Sequence, residues 1–266
     1  MAFMFRKMVV AGVGLIGGSL ALAARKQGLV KEVVGYGRGK ENLRLARRRG
    51  IIDGYFSSPG EIPKGVDLVI LGTPVQATVS LAASFLPGLE PGCLISDVGS
   101  VKAGIVRDME KLLPSQMSFV GAHPIAGSEQ WGAHAAIAAL FSGHRCILTP
   151  TRNTDQDALK KMTVFWRRIG ARVEIMDPHL HDKILGVVSH LPHVLVYALV
   201  NTLSRTRVDS VDLKQYCGGG FKDFTRIASS RPDIWRDICL VNRRAIGKSL
   251  GDYIKNLERL KRLMRD

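Results

Sequence analysis

The chain has 266 residues, a length that suits one large domain or two of ordinary size with real hydrophobic cores. Hydrophobic residues make up 46% and charged residues 23% of the sequence, as in globular proteins. The formal net charge of +15 favours anionic partners in general. The basic residues form no continuous tract, however, and only 6% of the residues are aromatic, so we expect no nucleic-acid partner.

The cysteines and the apolar segments bear on the compartment. The four cysteines form no C-x-x-C pair and have no zinc-site spacing, which is typical of a reduced cytoplasmic protein. The N-terminal apolar run carries four glycines between residues 12 and 18, so it predicts a strand, a turn and a helix rather than a signal peptide. We expect no other segment to be long and apolar enough to span a membrane, and therefore no membrane partner.

Strand patterns and helix patterns alternate over the first two thirds of the chain. Apolar runs predict strands at residues 8–13, 32–37, 66–74, 92–99, 117–124, 144–150 and 171–177. Amphipathic runs predict helices at residues 17–28, 40–50, 101–113 and 155–170. This alternation predicts an α/β fold with a doubly wound parallel sheet and helices on both faces.

The pattern becomes helical after Pro178. Long helical runs cover residues 181–204 and 233–266, although Gly247 and Gly251 weaken the second run as one unbroken helix. The first run is apolar nearly all round, so it belongs in a helical bundle or at a subunit interface. We therefore predict two domains, residues 1–177 and an all-α domain of residues 178–266.

The stretch GVGLIG follows the first predicted strand and opens the first predicted helix. Gly12, Gly14 and Gly17 have the G-x-G-x-x-G spacing of a dinucleotide-binding turn, with Leu15 and Ile16 between the last two. The glycines allow a tight turn, close approach of a pyrophosphate and close packing of helix on strand. We expect this turn to bind a dinucleotide.

The end of the second strand bears on the choice of dinucleotide. Folds that prefer NAD place an acidic residue there for the ribose hydroxyls, but this chain has Gly37 followed by Arg38 and Lys40. A planar cation and a second cation suit a 2′-phosphate, so we predict a preference for NADP, with NAD use through weaker ribose contacts as the alternative. Thr73 and Pro74, where the strand over residues 66–74 ends, are further candidate cofactor contacts.

Four further stretches are polar in apolar surroundings. They are SDVGSVK (96–102), GAHPIAGSEQWG (121–132), SHLPHV (189–194) and GGGFKDFTRIASSRPDIWRDI (218–238). Together with the glycine turn, and in this order, they resemble the prephenate/arogenate dehydrogenase family of tyrosine biosynthesis. The resemblance extends from about residue 8 to about residue 240.

The resemblance implies a reaction and an architecture. The family couples hydride transfer to NAD(P)+ with decarboxylation of a cyclohexadienyl substrate, which leaves an aromatic ring. The substrate is prephenate, giving 4-hydroxyphenylpyruvate, or arogenate, giving tyrosine, and the residues do not decide between them. A Rossmann domain is joined to a helical domain that forms a homodimer. We also expect a monofunctional enzyme, without a chorismate mutase domain or a separate tyrosine-sensing domain.

The resemblance assigns the chemistry to two residues. His123 would polarise or deprotonate the ring hydroxyl, a task that suits the pKa of histidine. Ser100 would hydrogen-bond this histidine or the hydroxyl, and it is also the expected N-cap of a helix from Val101.

Other family positions would bind the rest of the substrate. Arg226 would hold a substrate carboxylate and His193 would contact the substrate. His190 shares a helix face with His193, but no third ligand suggests a metal, so we expect none. The family positions expected to shape the pocket are Glu129, Lys222 and Asp223. Trp235 is expected to pack near the pocket, with a plain core role as the alternative. The histidines given no role are His134, His144, His179 and His181.

Two other hypotheses remain open at this point. One is a two-domain dehydrogenase of the β-hydroxyacid or 6-phosphogluconate type, in which Lys183 would be the catalytic lysine and HPIAGSE would be unexplained. The other is a dinucleotide-sensing module without catalysis. The set of Ser100, His123, His193 and Arg226 argues against the sensing module.

Overall fold

The chain forms two compact units. A computed structural model describes residues 3–128, 130–209 and 211–265. The chain divides into Met1–His181 and Asp182–Asp266, within a helix that spans the division. The predicted domain limits at residues 177 and 178 stay a prediction.

The first unit contains a six-stranded parallel sheet. Its strands lie in the order β3-β2-β1-β4-β5-β6, and every neighbouring pair is parallel. Most strand residues are buried, because helices cover both faces of such a sheet. The doubly wound fold class is confirmed. The strands are β1 (Phe5–Ala11), β2 (Val30–Tyr36), β3 (Gly54–Phe56), β4 (Leu68–Leu71), β5 (Leu94–Asp97) and β6 (Ser118–Val120).

Four α-helices connect these strands, and a fifth, α5, packs against β6. The sequence did not predict β3, whose three residues are too few to show a period, or α3, a short helix of eight residues. The helices are α1 (Leu15–Lys26), α2 (Lys40–Arg48), α3 (Thr78–Phe85), α4 (Ala103–Leu112) and α5 (Gln156–Arg168). Short 3-10 turns lie at Pro59–Glu61, Val75–Ala77, Leu86–Gly88 and Ala133–Ala135.

The single strand predicted at residues 117–124 is wrong. It breaks at Gly121, where a Cβ would lie 2.5 Å from Thr149 Oγ1. After the break the chain enters a second sheet of order β7-β8-β9, in which β7 is antiparallel and β9 parallel to β8. The last two predicted strands therefore exist but belong to this smaller sheet. Its strands are β7 (Ala122–Pro124), β8 (Arg145–Leu148) and β9 (Arg172–Ile175).

The core of the first unit joins the sheet to α1 and α5. Trp166 and Phe165 of α5 are fully buried, and the Phe165 ring meets Phe5 of β1 edge-on at 5.9 Å. Cys93 and Cys146 are buried as well, as expected for small core residues. Burial raises the pKa of the Cys93 thiol to about 12, so this cysteine stays a thiol at neutral pH.

The second unit is helical. The expected helix over residues 181–204 contains a π-helical turn at residues 186–190, which ends two residues before Pro192. A proline cannot donate the regular helical hydrogen bond, and such turns accommodate the shift. The second run breaks at Asn242, whereas Gly247 and Gly251 lie inside an unbroken helix. The helices are α6 (Pro178–Leu185), α7 (Leu191–Arg205), α8 (Gly219–Thr225), α9 (Pro232–Val241) and α10 (Arg243–Leu263), with 3-10 turns at Leu213–Tyr216 and Arg226–Ser229.

The apolar stretch Pro178–Arg205 departs from expectation. By length and composition alone it could cross a membrane, so the expectation that no such segment exists is wrong. One such helix is weak evidence for a membrane, because helices of soluble proteins pass the same criterion. Only 28% of its most apolar window is buried within the chain, so it is not the centre of a helical bundle. A subunit interface is the remaining alternative from the sequence.

Candidate active site

The turns that follow β1, β2, β4, β5 and β6 lie at one edge of the parallel sheet. This is the carboxyl edge, where such sheets bind ligands. The strand order reverses between β1 and β4, and the crevice expected at such a reversal is the usual dinucleotide site.

The glycine turn has the shape that a pyrophosphate requires. Gly12 has a φ of 93°, and a Cβ there would lie 2.4 Å from the Gly72 carbonyl oxygen. A Cβ at Gly17 would lie 2.3 Å from the Gly12 oxygen. Gly14 differs, since a Cβ there would meet nothing within 4 Å. The turn is therefore tight where the chain packs on itself and open at Gly14, where α1 begins and its N-terminus attracts anions. Leu15 and Ile16 form the start of α1.

The end of β2 is tied to this turn. The Gly12 N–H donates to the Tyr36 carbonyl at 2.9 Å, and Asn42 Nδ2 donates to the Val13 carbonyl at 2.8 Å. Arg38 and Lys40 lie between Tyr36 and Asn42 in the chain and are exposed, and Lys40 is the first residue of α2. Two cations and a helix N-terminus thus adjoin the glycine turn, where folds that prefer NAD carry an acid.

The end of β4 offers an unused hydroxyl. The Gly72 N–H donates to the Ala11 carbonyl at 2.7 Å, so Thr73 and Pro74 follow directly beside β1. Thr73 Oγ1 is buried and has no hydrogen-bond partner in the described part of the chain. Buried polar atoms usually have partners, so a ligand that supplies one fits this edge.

A buried ion pair organises the turn after β5. Asp97 and Lys102 are fully buried and form a salt bridge. Asp97 also accepts from the Gly99 N–H at 3.0 Å and from the Ala122 N–H at 3.1 Å. The pair fixes the turn that carries the half-buried Ser100 and positions the start of β7. The prediction that a helix starts at Val101 is wrong: α4 starts two residues later and Lys102 occupies its N-cap position.

His123 lies in β7 and is hydrogen-bonded to a second histidine. Its Nδ1 is 2.8 Å from Nε2 of His181, which is fully buried in the first turn of α6. No role was predicted for His181 from the sequence. The two residues are 58 positions apart and belong to no common motif, so no local signal could have found the pair.

The second unit brings two candidate substrate residues together. The ring of His193 stacks on that of Trp235, with centroids 3.5 Å apart and planes 16° apart. His193 Nδ1 donates to the Ser189 carbonyl at 3.0 Å, which leaves Nε2 as the acceptor of the neutral ring. Burial lowers the pKa of His193, and the hydrogen bond to Ser189 opposes part of that effect. The imidazole is therefore neutral at pH 7.

Of the remaining candidate substrate residues, three lie on one exposed segment. Lys222 and Asp223 are exposed on α8, and Arg226 is exposed directly after it. Glu129 lies outside the described residues. Within residues 3–128, 130–209 and 211–265, no three His, Cys, Asp or Glu side chains are grouped as a metal site would require.

The fold and the glycine turn define a class, the Rossmann dehydrogenases with an added helical unit. Two family models together match most of the chain. One, described as prephenate dehydrogenase, nucleotide-binding domain, matches residues 20–175, and the other, prephenate dehydrogenase, dimerization domain, matches residues 177–266. The chain belongs to the prephenate dehydrogenase family.

Individual relatives agree with the family match. A prephenate dehydrogenase of Bacillus subtilis is 36% identical over 255 residues, which cover 96% of this chain and 69% of the relative. A cyclohexadienyl dehydrogenase of Zymomonas mobilis is 34% identical over 258 residues, covering 97% of this chain and 88% of the relative. Among solved structures, prephenate dehydrogenase from A. aeolicus in complex with hydroxyphenyl propionate and NAD+ is similar, with a TM-score of 0.94 and 40% identity, covering 99% of this chain and 92% of that one.

These similarities confirm the predicted family and the predicted general function. The chain is a dehydrogenase of the prephenate/arogenate type, with a nucleotide-binding unit and a helical unit. The two other hypotheses, a β-hydroxyacid-type dehydrogenase and a sensing module, are set aside.

Proposed function

We propose that this chain oxidises and decarboxylates prephenate, arogenate or both, with NADP+ as the preferred oxidant. The observation that carries the proposal is His123, which lies on the short strand that follows β6 and is hydrogen-bonded to a buried histidine. A bound nicotinamide would accept the hydride from the ring carbon that bears the hydroxyl. Loss of CO2 supplies the electron pair that makes the ring aromatic.

His123 moves the proton in this reaction. Its Nε2, the nitrogen not bonded to His181, accepts the hydroxyl proton as the carbon–oxygen bond gains double-bond character. When the ring becomes a phenolate, the same nitrogen returns the proton to the oxygen. Ser100, on the turn held by Asp97 and Lys102, hydrogen-bonds the hydroxyl or His123.

Residues of the helical unit bind the rest of the substrate. The Arg226 guanidinium holds a substrate carboxylate through a bidentate pair of hydrogen bonds. The neutral His193, fixed by Trp235 and the Ser189 carbonyl, offers Nε2 as an acceptor. Lys222, Asp223 and Glu129 are proposed to adjust the polarity of the substrate pocket.

The experiment that tests this function measures formation of NADPH and NADH, with prephenate and with arogenate in turn. We expect NADPH with at least one of the two substrates. Formation of neither reduced cofactor with either substrate would overturn the proposed function.

The preference for NADP is proposed from Arg38 and Lys40, which adjoin the cofactor turn. A charged hydrogen bond to a 2′-phosphate is worth about 1.5–3 kcal/mol, so Arg38→Ala should lower kcat/KM for NADP about tenfold to a hundredfold. The NAD reaction should change little. The matched control is Arg48→Ala, which removes an exposed arginine at the C-terminal end of α2, the helix that begins at Lys40. A wild-type preference for NAD would contradict this cofactor assignment alone.

We also propose a cytoplasmic homodimer formed through the helical unit. Only 28% of the most apolar window of Pro178–Arg205 is buried within its own chain, and residues 177–266 match a dimerization domain. The four cysteines are free thiols, which is typical of a reducing compartment.

A further inference from the structure

We propose that His181 is a positioning residue for the reaction: its imidazole sets the tautomer and the orientation of His123. This inference rests on the proposed role of His123 as the base. His181 belongs to none of the motifs that identify the family in the sequence.

The contact between the rings imposes a choice of proton positions. His123 Nδ1 and His181 Nε2 are 2.8 Å apart, with ring planes at 64°. One proton lies between them, so one nitrogen donates and the other accepts. Two protonated rings would place two N–H groups against each other and lose the bond.

Only one of the two arrangements makes His123 a base. If His123 Nδ1 carries the proton and donates it to His181, then the Nε2 of the neutral His123 is unprotonated and can accept the substrate proton. If His181 donates instead, the neutral His123 carries its proton on Nε2 and cannot accept another there. Base catalysis therefore requires His181 to be neutral, with its own proton on Nδ1 and its Nε2 accepting. The same bond then stabilises the His123 imidazolium that forms.

The backbone holds both rings in place. His123 pairs with Ile147 across the β7–β8 ladder. Beyond β9, the Met176 N–H donates to the Leu148 carbonyl at 3.0 Å, so the chain leading to α6 stays bonded to the same strand β8.

The start of α6 is capped as well. Asp177 Oδ1 accepts from the His179 and Leu180 N–H groups at 2.9 Å, and the His181 N–H donates to the Asp177 carbonyl at 2.9 Å. The His181 ring is fully buried, so few other rotamers are open to it. A ring fixed in this way can orient its partner.

The test compares three variants. His181→Leu keeps the bulk and removes the acceptor, whereas His181→Gln keeps an accepting oxygen. We expect kcat to fall about tenfold to a hundredfold in His181→Leu, with substrate KM nearly unchanged, because loss of an orienting partner has effects of this size. His181→Gln should recover most of the activity. His179→Leu, at an exposed site in the same turn, should match wild type.

A spectroscopic measurement separates positioning from a plain structural role. The 15N NMR signals of His123 are assigned in histidine-labelled protein by comparison with His123→Asn. In the wild type they should show a proton on Nδ1 and none on Nε2. In His181→Leu the population should shift towards the Nε2–H form.

Several results would overturn the inference. One is wild-type His123 protonated on Nε2, which applies even if His181→Leu does not fold. Another is a folded His181→Leu with unchanged kcat. A third is a loss of kcat that is equal in the Leu and Gln variants with no change of tautomer. Failure of the proposed function itself is distinct, since then the wild type reduces neither cofactor.

Discussion

The two units of the chain differ in how they bury their apolar side chains. In the first unit, β1 and β4 are covered on both faces, and α5 places Phe165 and Trp166 fully inside the core. In the second unit, α10 and the π-helical turn expose large apolar residues, among them Val188 at 65% and Leu263 at 62%. The buried apolar residues described in the second unit are Leu185, Leu191, Val196, Ile238 and Ile246.

This difference shows how far each architecture can bury its apolar side chains within a single chain. A parallel sheet buries its strands between two layers of helices from the same chain, so its core is complete in one copy. The helices of the second unit bury few apolar side chains of their own, and their exposed apolar faces need another surface. We expect the first unit to carry the chemistry, and the second to carry substrate binding and assembly.

The largest expected effect tests the chemical role of the first unit. His123→Asn should lower kcat by about two to four orders of magnitude, the usual contribution of a positioned general base. Substrate KM and the oligomeric state should change far less. Steady-state kinetics together with the mass in solution checks this. A variant with near wild-type kcat would remove His123 from the mechanism.

The next effect tests the binding role of the second unit. Losing one partner of a hydrogen-bonded charge pair costs about 2–5 kcal/mol, and the exposure of Arg226 favours the lower end. Arg226→Ala should therefore raise substrate KM by about thirtyfold, with the cofactor KM unchanged. Lys214→Ala, which removes an exposed cation without an assigned role in the same unit, shows how much is due to general charge. Equal loss of cofactor and substrate affinity would contradict the role of Arg226.

The third prediction tests whether the exposed apolar face of the second unit forms the contact between subunits. Leu257 and Leu260 are exposed on α10 at 47% and 55%. The double change Leu257→Glu with Leu260→Glu should shift the protein to a monomer, because a self-complementary interface would then bring like charges together. Asn256→Glu, at an exposed polar site of the same helix, is the control. Light scattering at micromolar concentration measures the mass. A monomeric wild type would refute the homodimer, and a dimeric double variant would exclude this face.

The smallest effect concerns the pH dependence of stability. Burial lowers the pKa of His193, whose ordinary value is about 6.5, so the unfolded chain binds this proton more readily than the folded chain. The free energy of unfolding should therefore decrease as the pH falls below about 6.5, until the pH passes the lower folded pKa. His193→Gln should lose less stability between pH 7.5 and 5.5 in denaturant titrations. If His193→Gln loses as much free energy of unfolding over this pH range as the wild type, the burial effect is contradicted. His179→Gln is the control, because it removes an exposed histidine.

Much of the fold follows from local patterns that the sequence displays. Apolar runs of strand length and amphipathic runs of helix length predict the order of most elements in the first unit, because both periods are properties of neighbouring residues. The glycine turn is likewise local: three glycines, a preceding strand and a following helix are all within residues 5–26. The cations Arg38 and Lys40 were predicted beside it because the second strand of dinucleotide-binding folds ends next to this turn.

Other features depend on residues that are distant in the sequence. The break at Gly121 arises because the chain there passes Thr149, and the break at Asn242 coincides with hydrogen bonds from its side chain to the Asp182 carbonyl and to His190. The periodicity of a single segment contains neither contact. A pattern shows which face of an element is apolar, but it does not show what lies opposite.

The candidate site likewise combines local motifs with a contact between residues that are distant in the sequence. The amino-acid sequence alone predicted His123, Ser100, His193 and Arg226 as the chemical groups, through motifs that are contiguous in the chain. The tertiary structure added the partner of His123, because His181 reaches it only when β7 and the chain leading to α6 are both hydrogen-bonded to β8. Residue types set which chemistry is available, whereas the proton that each nitrogen carries depends on a neighbour 58 positions away.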